Sequence, residues 1–376
     1  MDGTHQELGA AERALRSAAM EQDILQLLRG WDGEAVVARF DRETGSWIFI
    51  ALHSTTLGRP VGGTRMHVYD SPAEGLRDAQ RLGEAMTAKW AALELPIGGG
   101  KAVLAVPRPL EGAERVGLLE RYGSLIESLR GAFGTGEDLG TTPADMAVIA
   151  RRTRFVHGVE GEGRVADPGP FTARGVFRGI EAGARVGLGR ESVEGMSVLV
   201  QGAGDVGFPL ARELRRAGAE VLVADVDEGR VARAVGELGA TAIPPERAWD
   251  TACDVFAPCA TGGVLDAARI PALACRMVAG SANAQLGTPE DAERLHARGI
   301  VYVPDFILNA GGALAFALHG EGERDPATLL RRMDRIGETV AAVLSEAAER
   351  DESPLLAARR RVERVLDRAR GAVSVA

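Results

Sequence analysis

Residues 197–207 read Ser-Val-Leu-Val-Gln-Gly-Ala-Gly-Asp-Val-Gly, an apolar strand-like run that ends in a glycine-rich turn. The next residues, 206–217, have helical periodicity, so the glycines stand at a strand–turn–helix junction. Gly202 permits a tight turn, Gly204 lets a phosphate approach the backbone, and Gly207 lets the helix pack closely on the strand. Free N–H groups and the dipole at the start of that helix favour a bound anion. The stretch therefore predicts a dinucleotide-binding Rossmann unit.

The predicted dinucleotide site consists of the turn and the acidic residue that ends the next strand: Gly202, Ala203, Gly204, Asp205, Val206, Gly207 and Asp225. Asp225 can accept hydrogen bonds from the adenosine ribose, whereas a 2′-phosphate would meet its carboxylate. Two unit charges ~4 Å apart at a dielectric of ~20 interact by about 4 kcal/mol, which favours NAD over NADP. Arg230 could reach a 2′-phosphate and would then favour NADP. Asp227, close to Arg230 in the sequence, would repel that phosphate and argues against NADP. A structural alternative is that Asp225 only caps the following turn.

The pattern around this stretch indicates an α/β protein of two domains. From residue 172 onward, predicted helices and strands alternate as in a parallel sheet, with strands at 197–201 and 220–224. A glycine-rich, charged segment at 158–169 precedes them and resembles an interdomain crossing. At 376 residues the chain is long enough for two separate cores, and a cleft between them is expected.

Composition excludes several classes of function. A net charge of −9 offers no basic face for nucleic acid. The longest uncharged apolar run, 310–318, is too short to span a membrane, and the polar start lacks a signal-peptide core, so we expect a cytoplasmic protein. Three cysteines without C-x-x-C spacing and six scattered histidines predict neither disulfides nor a metal site.

Two residue types are almost absent from the chain. Of the 44 basic residues only Lys89 and Lys101 are lysine, and the only asparagines are Asn283 and Asn309. Arginine keeps its proton at working pH, whereas a lysine in a dry pocket can lose it, so a lysine that survives such a bias indicates a titratable ammonium. The alternative is that compositional drift left these residues at random.

The surroundings of the lysines favour the chemical interpretation. Lys89 falls near the end of a predicted helix at 71–89, and Lys101 is predicted at the junction between a glycine loop and a strand. Asp138 lies in a second glycine-rich turn, which we expect to leave its carboxylate free. One ammonium can hold a substrate carboxylate, the other can exchange a proton, and the carboxylate can activate water. This set of groups suits oxidative deamination of an amino acid.

The sequence resembles the glutamate, leucine, phenylalanine and valine dehydrogenases through most of its length. The segments that carry the resemblance are Gly-Gly-Thr-Arg-Met at 62–66, Met-Thr-Ala-Lys at 86–89, 96–101, 135–142, 202–207 and Val-Pro-Asp-Phe-Ile-Leu-Asn-Ala-Gly-Gly at 303–312. The resemblance implies an N-terminal α/β substrate and oligomerisation domain, 1–150, joined by C-terminal helices from 338–376. It implies a Rossmann domain at 151–337 that closes on the first domain during hydride transfer. A homo-oligomer is expected.

The resemblance also assigns roles to single residues. It implies that Lys89 binds the substrate α-carboxylate, that Lys101 is the catalytic lysine and that Asp138 is the catalytic aspartate. Thr172 matches a residue near the nicotinamide amide, and Asn283 matches an asparagine of the substrate and cofactor site. Asn309 occupies a motif position that we assign to the cofactor. Ala284 departs from the family because it replaces an asparagine that is common in members with apolar substrates.

Further departures bear on the substrate. The predicted side-chain pocket is formed by Gly63, Val61, Gly136, Ala313 and Phe316. Val61 stands where glutamate-specific members have a lysine, which argues against an acidic substrate. Gly136 and Ala313 are smaller than their counterparts in leucine-selective members, although Phe316 refills part of the space.

We therefore expect phenylalanine as the first choice, with overlapping activity on leucine and valine, because one methylene discriminates by only ~1–3 kcal/mol. The alternatives are leucine or valine dehydrogenase as the main activity, glutamate dehydrogenase, or a non-catalytic NAD-binding sensor. The expected partners are an amino acid or keto acid and ammonia, with neither nucleic acid nor membrane.

Overall fold

The computed structural model describes residues 24–157, 167–320, 322–323 and 325–373. These residues fold into two compact units, one with residues 24–87 and 97–157 and the other with 88–96 and the described part of 167–373. The sequence predicted one domain at 1–150 joined by 338–376 and a second domain at 151–337. These domain boundaries remain a proposal. The predicted crossing at 158–169 and the predicted N-terminal helix at 7–28 fall mostly outside the described residues, although 24–30 are helical.

The first unit is built on a mixed sheet of five strands in the order β1-β2-β4-β3-β5. Strands β1 and β2 and strands β2 and β4 pair antiparallel, whereas β3 pairs parallel with both β4 and β5. The strand bounds are β1 Ala35–Asp41, β2 Ser46–Ser54, β3 Pro60–Val68, β4 Gly98–Val106 and β5 Gly134–Glu137. The helices are α1 Pro72–Ala92, α2 Gly112–Ser128 and α3 Pro143–Ala150.

Alternating side chains of β2 supply both faces of this sheet. Ile48 and Ile50 belong to a core with residues of α2 and α3, among them the fully buried Tyr122. Phe49 belongs to a separate core on the other face, which includes Leu76 of α1. Helices therefore cover both faces, and β3 lies between β4 and β5 inside the sheet.

The second unit is built on a parallel sheet of six strands in the order β11-β10-β9-β6-β7-β8. This order reverses at β6, as in the doubly wound Rossmann fold, so the predicted fold class is confirmed. The strands are β6 Ser197–Gln201, β7 Glu220–Ala224, β8 Thr241–Ala242, β9 Cys253–Pro258, β10 Cys275–Val278 and β11 Val301–Tyr302. The helices are α4 Gly169–Leu188, α5 Gly207–Arg216, α6 Glu228–Leu238, α7 Glu290–Ala297, α8 Asp305–Leu308, α9 Gly311–Gly320, α10 Pro326–Arg350 and α11 Pro354–Val373.

Glycines on α4 allow neighbouring elements to approach this helix closely. A Cβ on Gly175 would lie 2.6 Å from Ile336 of α10, and a Cβ on Gly179 would lie 2.0 Å from Leu308 of α8. Such contacts are shorter than any tolerated between carbon atoms, so larger residues would push these elements apart. Among the described residues no helix is both long and apolar enough to cross a membrane.

Candidate active site

Lys101 and Asp138 come together in the first unit because their strands flank β3. Lys101 lies on β4, and Asp138 directly follows β5. The ammonium of Lys101 lies 3.1 Å from Oδ1 of Asp138. Lys101 is only 5% exposed. The pairing of a buried ammonium with a carboxylate therefore follows from the strand order.

The expected position of Lys101 at a loop-to-strand junction is wrong. Strand β4 already begins at Gly98, and Lys101 lies inside it, opposite Ala51 of β2. These positions of the strand are occupied by glycine because neighbouring atoms leave no room for a side chain. A Cβ on Gly98 would lie 2.2 Å from the carbonyl oxygen of Gly58, and a Cβ on Gly99 would lie 1.9 Å from Oγ1 of Thr87. Lys101 therefore lies on a buried strand, next to glycines that let other parts of the chain approach closely.

The expectation of a free Asp138 carboxylate is also wrong. Oδ2 accepts a hydrogen bond from Nε of Arg65 at 3.0 Å, while Oδ1 faces Lys101. The turn that carries Asp138 folds back on β3, because the N–H of Met66 donates to the carbonyl of Leu139 at 2.9 Å. Gly140, at φ +79°, permits this approach, since a Cβ there would lie 1.8 Å from the carbonyl oxygen of Met66. The carboxylate is held by two cations.

The pair has mutually dependent protonation states. Burial lowers the pKa of Lys101, the Asp138 charge opposes this, and the Arg65 charge reinforces it. Burial alone would raise the pKa of Asp138, but the charges of Lys101 and Arg65 hold it below its usual value. Asp138 therefore stays ionised, and Lys101 gives up its proton more readily than an ordinary lysine.

Three residues of the predicted side-chain pocket lie on adjacent strands. Gly63 of β3 is the register partner of Gly136 of β5, and Val61 of β3 pairs with Gly134. A Cβ on Gly63 would lie 2.9 Å from the Cβ of Asp138 and 2.7 Å from the carbonyl oxygen of Glu137. Gly63 therefore lets Glu137 and Asp138 approach β3 closely. Val61 is buried and contributes an apolar surface.

Arg65 and its partner Asp78 were not predicted as site residues. Nη1 of Arg65 donates to Oδ2 of Asp78 at 2.9 Å, and the hydroxyl of Tyr69 donates to the same oxygen at 2.7 Å. Arg65 belongs to the Gly-Gly-Thr-Arg-Met motif, but one arginine among 42 carries no compositional signal of its own. The helical position of Asp78 gives no indication that it faces β3.

In the second unit the glycine turn has the backbone that its sequence predicts. Gly202 adopts φ +97°, and its N–H donates to the carbonyl of Ala224 at 2.8 Å. A Cβ on Gly207 would lie 1.8 Å from the carbonyl oxygen of Gly202, so this helix–turn contact requires glycine. A Cβ on Gly204 would have only the guanidinium of Arg230 nearby, at 3.5 Å. The turn is therefore open at Gly204.

Asp225 accepts hydrogen bonds from the backbone on both sides of it, from the glycine turn and from the turn that follows β7. Oδ2 accepts from the N–H of Ala203 at 2.7 Å, and Oδ1 accepts from the N–H of Asp227 at 2.9 Å. A carboxylate offers about four acceptor positions, so these two bonds leave capacity for further donors. Arg230 lies 3.9 Å from Asp225 and 3.5 Å from Asp227. Its guanidinium is thus close to two carboxylates.

The remaining residues predicted to bind the cofactor cluster where β10 and β11 end. Nδ2 of Asn309 donates to Oδ1 of Asn283 at 2.8 Å and to the carbonyl of Ser281 at 3.3 Å. Oδ1 of Asn309 is buried and has no hydrogen-bond partner among the described residues. Thr172 of α4 accepts from the N–H of Gly312 at 3.1 Å. This edge carries the carboxyl ends of the parallel strands, where ligands of such sheets bind.

The other predicted substrate residues of this unit lie on two helices, α1 and α9. Lys89 is half-buried in the last turn of α1. Burial raises the pKa of Asp305 on α8, and the charge of Lys89 opposes that shift. Ala313 is half-buried and Phe316 buried on α9. The predicted site residues thus form two sets, one in each unit.

A doubly wound parallel sheet with a glycine-rich turn is a nucleotide-binding architecture, and the buried pair of Lys101 and Asp138 suits proton transfer. Residues 39–155 match the dimerisation domain of the Glu/Leu/Phe/Val dehydrogenases, and residues 225–367 match the Glutamate/Leucine/Phenylalanine/Valine dehydrogenase domain. The chain belongs to this family and is an amino-acid dehydrogenase.

Individual relatives cover nearly the whole chain. The leucine dehydrogenase of Geobacillus stearothermophilus is 40% identical over 335 residues, 88% of this chain and 90% of the relative. The phenylalanine dehydrogenase of Lysinibacillus sphaericus is 35% identical over 352 residues, 92% of this chain and 91% of the relative. The crystal structure of L-tryptophan dehydrogenase from Nostoc punctiforme superimposes with a TM-score of 0.80 at 33% identity, covering 92% of this chain and 99% of that one.

Proposed function

We propose that the protein catalyses the reversible, NAD-dependent oxidative deamination of an apolar L-amino acid to the 2-keto acid and ammonia. The observation that carries the proposal is the buried pair of Lys101 and Asp138, 3.1 Å apart, in a chain of the amino-acid dehydrogenase family. Deamination needs one group that exchanges a proton at the reacting carbon and one that activates water. The pair supplies both.

NAD, when bound, supplies the acceptor for the hydride that leaves the α-carbon. Lys101 hydrogen-bonds through Nζ to the substituent on that carbon and exchanges a proton with it, which its burial-lowered pKa permits. Asp138 accepts a proton from water at a carboxylate oxygen, so that hydroxide adds to the imine carbon. Lys101 then returns its proton to the nitrogen as the C–N bond breaks and ammonia leaves, and the proton of the added hydroxyl passes to solvent as the keto carbonyl forms. The assigned role of Lys89 is to bind the α-carboxylate with its ammonium.

Three observations support a fit to NAD. The open turn at Gly204, next to the required glycines at 202 and 207, suits a pyrophosphate group. Asp225 retains acceptor capacity for ribose hydroxyls, and its side chain is only 5% exposed, which makes a nearby 2′-phosphate unfavourable. The unpartnered Oδ1 of Asn309 is an acceptor suited to a carboxamide N–H. Thr172 and Asn283 are proposed to assist at the nicotinamide end.

The side chain of the substrate is proposed to be apolar, because the buried Val61 and the adjacent Gly63 and Gly136 offer no cation for a second carboxylate. Phenylalanine as first choice remains a prediction from the small residues Gly136 and Ala313. The relatives at 40% identity are leucine dehydrogenases, which favours leucine as the main substrate. Because hydrophobic pockets discriminate weakly, several of these amino acids should react.

The decisive experiment is a panel of L-amino acids with the purified protein and NAD at alkaline pH, followed by NADH absorbance. We expect NADH with leucine, valine or phenylalanine and little with glutamate. Absence of NADH with every apolar amino acid, together with no turnover of the keto acids with ammonium, would reject the proposal in favour of a non-catalytic sensor. Strong activity on glutamate alone would instead show that Val61 does not set specificity.

Assembly and location are proposals of the same kind. The match to a domain named for dimerisation supports the expected homo-oligomer. Light scattering of the purified protein measures the subunit number. A cytoplasmic location stays a prediction from the sequence, and fractionation of the source cells would test it.

A further inference from the structure

Arg65 connects two carboxylates that reach it from different elements. Its Nε donates to Oδ2 of Asp138 at 3.0 Å, and its Nη1 donates to Oδ2 of Asp78 on α1 at 2.9 Å. The Arg65 side chain is only 15% exposed, so both bonds form in a site largely shielded from water. A planar guanidinium can make these two bonds at once, whereas a lysine ammonium lacks the fork.

Asp78 is itself held in place from the far side. The hydroxyl of Tyr69 donates to its Oδ2 at 2.7 Å, and Nη2 of Arg81 donates to its Oδ1 at 2.7 Å. Asp78 therefore forms a fixed anchor for the guanidinium. The anchor orients Arg65, and Arg65 in turn orients Asp138.

The orientation of Asp138 determines which oxygen faces Lys101. Arg65 occupies Oδ2, and Oδ1 lies 3.1 Å from the Lys101 ammonium. The backbone N–H of Asp138 donates to Oγ1 of Thr141 at 3.0 Å, which fixes the start of the same turn. Rotation of the carboxylate would break the bond to Arg65, so the geometry of the catalytic pair depends on this arginine.

We infer that Arg65 is a positioning residue that fixes the Asp138 carboxylate and supplies the positive charge that lets Lys101 release its proton. The inference rests on the proposed function. Lys101 and Asp138 without Arg65 would form a simple ion pair, and an ion pair stabilises the protonated lysine. Arg65 is a second cation on the Asp138 carboxylate, so it weakens the stabilisation that the negative charge gives to protonated Lys101. Arg65 thereby turns a static ion pair into an acid–base pair.

The charges around Lys101 in the first unit agree with this assignment. Burial lowers the pKa of Lys101, Asp138 raises it, Arg65 lowers it, and Asp78 raises it. Tyr69 and Arg81 lie behind Asp78 and contact its carboxylate. Arg65 and Asp78 therefore act on Lys101 with opposite signs, although they are bonded to each other.

Because Arg65 and Asp78 shift the pKa of Lys101 in opposite directions, the inference can be tested without measuring turnover. The chain has only two lysines, so competitive acetylation with acetic anhydride, read by peptide mass spectrometry, reports Lys101 against Lys89 as an internal reference. We expect Arg65→Gln to raise the labelling midpoint of Lys101, since the Arg65 charge lowers the pKa of Lys101. Asp78→Asn should lower the midpoint.

Arg65→Lys separates charge from geometry. This variant keeps a cation but not the two-carboxylate fork, so kcat should fall while the pH profile moves less than in Arg65→Gln. In Arg65→Gln, kcat should fall, and the acidic limb of the deamination profile, on which activity rises with pH as Lys101 loses its proton, should move to higher pH. The Kd for NAD, measured by NADH fluorescence, should not change in either variant. Thermal unfolding identifies any variant that fails to fold.

The inference is wrong if the labelling midpoint of Lys101 is unchanged in Arg65→Gln, or if Arg65→Gln and Asp78→Asn move it in the same direction. A general loosening of the fold would move the labelling midpoint of Lys101 in the same direction in both variants. If the wild type deaminates no amino acid but the two midpoints move oppositely, the proposed function fails and the charge assignment for Arg65 stands.

Discussion

Asn283 and Asn309, the only two asparagines in the chain, are hydrogen-bonded to each other, with Nδ2 of Asn309 2.8 Å from Oδ1 of Asn283. They are 26 residues apart and follow different strands of the parallel sheet. The compositional bias left no asparagine elsewhere in the sequence, and the two that remain contact each other. Random survival does not explain that contact, whereas a shared role at the ligand edge of the sheet does.

Asn309→Ala should destabilise the protein by about 1–2 kcal/mol, because it leaves the buried carbonyl of Ser281 without its donor. The midpoint of thermal unfolding without ligand measures this. Asn283→Ala is the matched control, since Asn283 is exposed and water can replace the lost bond. If both variants lost the same stability, the hydrogen bond from Asn309 to the buried carbonyl of Ser281 would not be the cause.

Lys101→Arg should reduce turnover by about 10²–10⁴-fold while NAD still binds, because arginine keeps the positive charge but cannot exchange its proton. Initial rates of NADH formation measure the first effect, and fluorescence titration with NADH measures the second. Near-normal turnover would refute the acid–base role of Lys101.

Lys89→Ala should raise KM for the amino acid by roughly 10- to 100-fold, the loss expected when a charged hydrogen bond to a carboxylate is removed. The value of kcat at saturation should change much less. Steady-state kinetics over a wide range of amino-acid concentration separate the two constants. An unchanged KM would remove the carboxylate-binding role from Lys89.

Ala284→Asn should stabilise the protein by about 0.5–1 kcal/mol. Ala284 has φ +48°, a left-handed conformation that costs most L-residues about 1–2 kcal/mol and that asparagine adopts more readily. Ala284→Val should be destabilising, since β-branched residues tolerate this conformation least. Chemical denaturation of both variants gives the comparison, and a gain in the valine variant would rule out backbone strain as the cause.

Asp41 should stabilise the protein fully at neutral pH and lose this contribution progressively as pH falls below about 4. Nε and Nη2 of Arg121 donate to its two oxygens at 2.6 and 2.9 Å, and this bonding lowers its pKa below 3.8 despite burial. A carboxylate with a lowered folded-state pKa stabilises fully above its unfolded value, and the contribution disappears as pH falls through the folded value. Asp41→Asn should therefore be less stable than the wild type at pH 7, with a difference that shrinks below about pH 4.

Asp367→Asn is the control for this pH dependence. Asp367 is 72% exposed and pairs with Arg370 on the surface of α11, where ion pairs contribute little. Urea denaturation from pH 3 to 7 should show no difference between this variant and the wild type. A pH-dependent loss equal to that of Asp41→Asn would mean that net charge, rather than the buried pair, sets acid stability.

Much of the second unit followed from local pattern. Strands β6 and β7 lie at the predicted positions, 197–201 and 220–224, because each is a short apolar run next to a glycine turn. The glycines at 202 and 207 have the close contacts that their motif requires. Local sequence is informative here because strand, turn and helix are consecutive.

The first unit was harder to predict. The glycine run before Lys101 was expected to be a loop, but it is a strand, because the backbone and Thr87 side chain that exclude larger residues come from distant parts of the chain. Asp138 was expected to be free because nothing in its own turn binds its carboxylate. Its partners lie 37 and 73 residues away, on other strands.

The sequence by itself determined the class of fold and the family and predicted Lys101 as the reactive lysine, because apolar periodicity, glycine spacing, the family motifs and the rarity of lysine are all visible along the chain. Only the tertiary structure decided how that lysine is controlled. Arg65 and Asp78 reach Asp138 and Lys101 through strand order and helix packing, and a pKa depends on distances in space rather than on positions in the sequence.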